Sequence, residues 1–99
     1  MAEKLGDDEI ERRLEDLKIW SRTGDRLATR VEFENYRDAV FFANAVFSLA
    51  EKEFHHPEVR VEYGAVSIDL WSHEADGITG KDFEMAEKIE ETVSEIKWD

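Results

Sequence analysis

Residues 35–54, NYRDAVFFANAVFSLAEKEF, set the tightest limit on what this chain can fold into. Tyr36, Ala39, Val40, Ala43, Val46, Phe47 and Ala50 recur at helical spacing, and Asn35 is placed to cap the first turn. Phe41, Phe42, Ala45 and Leu49 spread the apolar surface well beyond one stripe. A helix of that kind needs more than one neighbour. A chain of 99 residues builds one modest core, so one neighbour is expected to be a second copy or another protein. Pro57, the only proline, stops the helix, because the residue before a proline is pushed out of the α region.

The remaining segments supply a sheet and two further helices. Residues 7–17 start from an aspartate cap at Asp7 or Asp8 and place Ile10, Leu14 and Leu17 on one helical face. Residues 18–33 read as two strands around a Thr23-Gly24-Asp25 turn. Leu27, Thr29, Val31 and Phe33 alternate there with Ala28, Arg30 and Glu32. Residues 59–71 read as a second hairpin: Val59, Val61 and Tyr63 alternate out, Gly64-Ala65 turns, and Val66, Ile68 and Leu70 alternate back. Thr79, with Asp82 three residues on, forms a capping box before Phe83, Ala86, Ile89, Val93 and Ile96. The spacing predicts an α+β fold in the order α-β-β-α-β-β-α. Its four-stranded antiparallel sheet carries three helices on one face, and residues 1–99 form a single domain.

A formal net charge of -12 argues against nucleic acid and against an anionic membrane surface as partners. Without cysteine there is no thiolate chemistry and no disulfide. The charged N-terminus lacks an apolar signal core, so a soluble cytoplasmic protein is expected.

All three histidines fall within residues 51–77. His55 and His56 precede Pro57, and His73 follows the second hairpin, with Glu51, Glu53, Glu58, Glu74, Asp76 and Asp82 nearby. Histidine is the side chain best suited to proton transfer near neutral pH. Metal-ligand spacings are missing, so no metal site is expected. Counting outward from a Gly64-Ala65 turn sets Pro57 and His56 level with Ser72 and His73, which predicts that both histidine elements meet at one sheet end. Polar-loop, strand-end and capping roles remain the alternative for these residues.

The pattern resembles the pterin-4a-carbinolamine dehydratases. Glu51, His55-His56-Pro57, Tyr63, His73 and Asp82 match the family's spaced signature in turn, and Trp20 falls where the family carries a tryptophan before its first hairpin. The likeness extends over essentially the whole chain. Two positions depart from it: Val59, where an aromatic is common, and Trp71, where a smaller residue is usual.

That resemblance implies dehydration of a 4a-hydroxytetrahydropterin to a quinonoid dihydropterin, with no cofactor because the pterin is the substrate. It implies His55 and His73 as the acid-base pair and His56 as catalytic and pterin-binding. Glu51 and Asp82 would orient the imidazoles, and Pro57, Ser72, Glu74 and Ala75 would line the pocket with the histidines. A homodimer or homotetramer through helix 35–54 and the sheet is expected. Members of the family also serve as binding proteins, as transcriptional coactivators or assembly factors, and that is the alternative.

Overall fold

A computed structural model describes residues 3–96. The elements follow the expected order: α1 (Asp7–Leu14), β1 (Ser21–Thr23), β2 (Arg26–Glu32), α2 (Tyr36–Glu53), β3 (Glu58–Glu62), β4 (Ala65–Leu70) and α3 (Gly80–Ile96). The strands form one antiparallel sheet ordered β1-β2-β4-β3. Its inner face, carrying Leu27, Val31, Val66, Ile68 and Leu70, packs with Ala39, Phe42, Val46, Ala86 and Ile89 of α2 and α3 into one core, which Ile10 of α1 joins.

The alternation expected in residues 27–33 is present: Leu27, Thr29 and Val31 are buried, whereas Arg30 and Glu32 are exposed. The outer face carries ion pairs. Arg26 reaches Glu58 and Asp69, and Arg30 reaches Glu62. Trp20, on the approach to β1, is buried and donates its indole N–H to the Ala86 carbonyl at 3.1 Å.

Helix α2 starts as expected: the Asn35 side chain accepts from Asp38 N–H at 2.9 Å. Within this chain the helix is covered on one side only. Phe41 and Phe47 remain 58% and 47% exposed, an apolar surface only partly covered by the described residues. Helix α1 corrects the expected aspartate cap. Gly6 is the capping residue and makes no side-chain bond, while Asp7 and Asp8 sit one step inside, in the first turn, where the helix dipole favours them. Leu17 lies beyond the end of α1, and packs against the core from the following segment.

The second hairpin corrects the expected register. Glu62 pairs with Ala65, so the turn is Tyr63-Gly64 and not Gly64-Ala65. Ala65 is drawn into the sheet because it also pairs with Glu32 of β2, and it is fully buried there. Beside it the Gly64 carbonyl accepts Phe33 N–H at 2.8 Å, and a Cβ on Gly64 would come within 3.2 Å of the Phe33 carbonyl oxygen. Glycine is favoured by that close approach of two strands, since a side chain would push the Phe33 carbonyl aside by a few tenths of an ångström. The shift is of two residues, so each side chain keeps its face. Tyr63 is left exposed at the turn, stacked on Tyr36 with ring centroids 6.1 Å apart.

Candidate active site

The corrected register changes which residues meet at the open end of the hairpin. Continued outward, it sets Pro57 level with Leu70, and it sets His55, where Pro57 was expected, level with Ser72. The chain reaches that end through Phe54, which closes α2 in the left-handed region at φ 53°. The N–H groups of Phe54 and His55 both donate to the Ala50 carbonyl, and the turn releases His55 and His56 from the helix.

His55 is nearly enclosed, its side chain 11% exposed. Its Nε2–H donates to Asp82 Oδ1 at 2.6 Å, which leaves Nδ1 as the acceptor of the neutral ring. Asp82 is completely buried on the first turn of α3. Its other oxygen accepts from the Ser72 hydroxyl at 2.9 Å and from Thr79 N–H at 2.8 Å. The Asp82 half of the expected capping box is thus present, whereas Thr79 Oγ1 accepts from Lys81 N–H at 3.2 Å, one residue short of Asp82, and shares a 2.8 Å hydrogen bond with the Ser72 hydroxyl. One carboxylate therefore opens a helix and fixes a histidine. No buried side-chain polar atom among the described residues lacks a partner.

Ser72 begins a tight turn. Its N–H donates to the Gly77 carbonyl, and its carbonyl receives Ala75 N–H and Gly77 N–H. Asp76 closes this turn at φ 52°. The turn presents His73 and Glu74 to solvent. Glu74's own backbone N–H lowers its carboxyl below the usual carboxylate range; Lys81 and the nearby His55 act in the same direction. Pro57 and Ala75 are half-buried, whereas Ser72 is closed to solvent, so its part in the site runs through Asp82.

His56 stands apart from this network. Its Nε2–H donates to Glu51 Oε2 at 2.6 Å, with both side chains largely exposed, and its ring meets the edge of Phe54 at 5.5 Å. Tyr63, the aromatic of the signature, lies at the turn end of the hairpin, away from the histidines. Two participants had no sequence signal that could be used without the strand pairing. Trp71 stacks on His73 with ring centroids 4.5 Å apart, and Arg26 lies 3.8 Å from the centre of the Trp71 ring. Among the described residues, no group of three or more His, Asp or Glu is arranged to hold a metal ion. No helix among them is long and apolar enough to cross a membrane.

The arrangement provides one histidine locked by a buried carboxylate, one exposed histidine on an adjoining turn, and one on the helix end. The family model described as pterin 4 alpha carbinolamine dehydratase matches residues 3–92. A relative from Aquifex aeolicus, provisionally named pterin-4-alpha-carbinolamine dehydratase, is 38% identical over 97% of each chain. One from Natronomonas pharaonis with the same provisional name is 43% identical over 92% of this chain and 97% of its own. The crystal structure of a transcriptional coactivator/pterin dehydratase from Brucella melitensis shares the fold with a TM-score of 0.86. It is 27% identical and covers 90% of this chain and 97% of its own. With the fold, the spaced histidines and these likenesses in agreement, the chain belongs to the pterin 4 alpha carbinolamine dehydratase family.

Proposed function

We propose that the protein dehydrates a 4a-hydroxytetrahydropterin to a quinonoid dihydropterin and water, so returning the pterin to the cycle of aromatic amino-acid hydroxylases. The observation that carries this reading is the His55–Asp82–Ser72 connection, which ties the histidine pair at the end of α2 to the turn bearing His73. In the substrate the N5 lone pair forms the C4a–N5 double bond as the C4a–O bond breaks. An acid protonates the departing oxygen and a base takes the N5 proton. Oxidation state does not change, so the step requires no redox cofactor.

His55 and His73 form the acid-base pair in this reading. Asp82 accepts from His55 Nε2, so Nδ1 is the atom through which His55 exchanges a proton, and the buried carboxylate fixes the orientation of the ring. His56, held by Glu51, binds and orients the pterin, with Pro57, Glu74 and Ala75 beside it. Such a proton-transfer group contributes ~10²–10⁴-fold. A homodimer or homotetramer through α2 and the sheet covers the exposed Phe41 and Phe47. The same surface supports the second reading, a protein-binding role like the coactivator named for the Brucella structure.

A stopped-flow record of 4a-hydroxytetrahydropterin decay tests the enzyme reading. Micromolar protein is expected to accelerate the decay, and His73→Ala to lose about tenfold or more of that acceleration while staying folded. Decay at the uncatalysed rate with the wild-type protein would leave the binding role standing.

A further inference from the structure

The three histidines are held in two different ways. His55 and His56 each give Nε2–H to a carboxylate, Asp82 and Glu51. His73 makes no side-chain hydrogen bond among the described residues, and its recorded partner is the indole of Trp71, 4.5 Å away and tilted by 32°. A carboxylate orienter occupies one ring nitrogen. A stacked indole occupies neither, so the ring keeps one nitrogen to accept and one to donate.

Trp71 is itself fixed from below. It follows Leu70, the last residue of β4, and alternation turns its indole to the outer sheet face, opposite the buried Leu70. The guanidinium of Arg26 lies 3.8 Å from its ring centre. Arg26 is held in turn by Glu58 of β3 at 3.2 Å and by Asp69 of β4 at 3.4 Å. A path of contacts thus runs from the sheet through Arg26 and Trp71 to an otherwise untethered histidine on a turn.

We propose that Trp71 is the positioning residue for His73: stacked on Arg26 and held by it to the sheet, the indole fixes the imidazole plane while leaving both nitrogens free for substrate. The catalytic part of this inference rests on the dehydratase reading, whereas the stack itself does not. The charged groups around the indole are Asp25, Arg26, Asp69 and Asp76 lining the cleft beside it, with Glu58 on Arg26 and Glu74 next to His73.

Two measurements test it on the full chain. Protonated imidazole quenches a stacked indole, so tryptophan emission is expected to fall on acidification. His73→Gln should abolish that component, and Trp71→Phe should remove it too, leaving Trp20 and Trp98 to emit. In the stopped-flow assay Trp71→Ser is expected to lower kcat about tenfold or more with KM changed by less than about threefold, and Trp71→Phe to restore most of the loss. Thermal melting of both variants establishes that they fold. An emission titration unchanged by His73→Gln would overturn the stack. Wild-type kcat in Trp71→Ser would overturn the positioning role. Absence of wild-type dehydratase activity with an intact emission titration would overturn the reaction instead.

Discussion

His55→Ala is expected to lower kcat/KM for pterin dehydration by ~10²–10⁴-fold while leaving the circular dichroism spectrum unchanged. The large effect follows from how His55 is held. Its Nε2–H donates to a completely buried carboxylate, so the ring loses little freedom when substrate binds and its Nδ1 is held in one direction. The fold should survive because the residue lies outside both α2 and β3, and its removal lets water reach Asp82 Oδ1. His55→Gln distinguishes the proton-transfer role from mere bonding to Asp82, since an amide can donate to the carboxylate but cannot exchange a proton. Stopped-flow rates for both variants check this; either one turning over within threefold of wild type would remove His55 from the chemistry.

Asp82→Ala is expected to destabilise the protein by ~3 kcal/mol or more. Each buried donor left unpaired costs ~1–3 kcal/mol, and Asp82 accepts from Ser72, Thr79 and His55. The Ser72 hydroxyl retains Thr79 Oγ1 as a partner, so the three losses do not simply add. For a domain of this size the melting temperature should fall by about 12 °C or more. Asp82→Asn keeps an acceptor for Thr79 N–H and should melt between wild type and the alanine variant, yet it should lose activity because the amide then turns its NH2 to His55 Nε2 and imposes the other tautomer. Denaturant or thermal unfolding of the pair decides the matter. A loss below 1 kcal/mol for the alanine variant would mean that water or a rearranged α3 start replaces the carboxylate.

Elements whose burial is settled locally were legible in the sequence. The apolar alternation of β2, the helical spacing of α2 and the Asn35 cap each depend on residues a few positions apart, and each is present. The β3–β4 turn was not legible in that way. The preference for Gly64-Ala65 is local, but the third strand overrides it: β2 pairs with Ala65, and Phe33 closes on Gly64. The convergence at the hairpin's open end was readable from strand counting. The resemblance pointed to Glu51 and Asp82 as the carboxylates that orient the imidazoles, but strand counting alone did not say which histidine each one holds, because Asp82 had a sufficient reason to exist as a helix cap. Trp71 was legible only as a departure from the family pattern; its contact with Arg26 requires knowing that β4 lies next to β2.

The left-handed Phe54 sets a limit on how this protein can be improved. A phenylalanine at φ 53° carries backbone strain of order 1–3 kcal/mol that glycine would not, and its ring, 84% exposed, adds nothing to the core. Selection for heat resistance alone would therefore favour glycine at this position. The same change would remove the ring that flanks His56 and loosen the joint from which both histidines emerge. A more durable variant obtained this way is one whose helix end has been freed to wander.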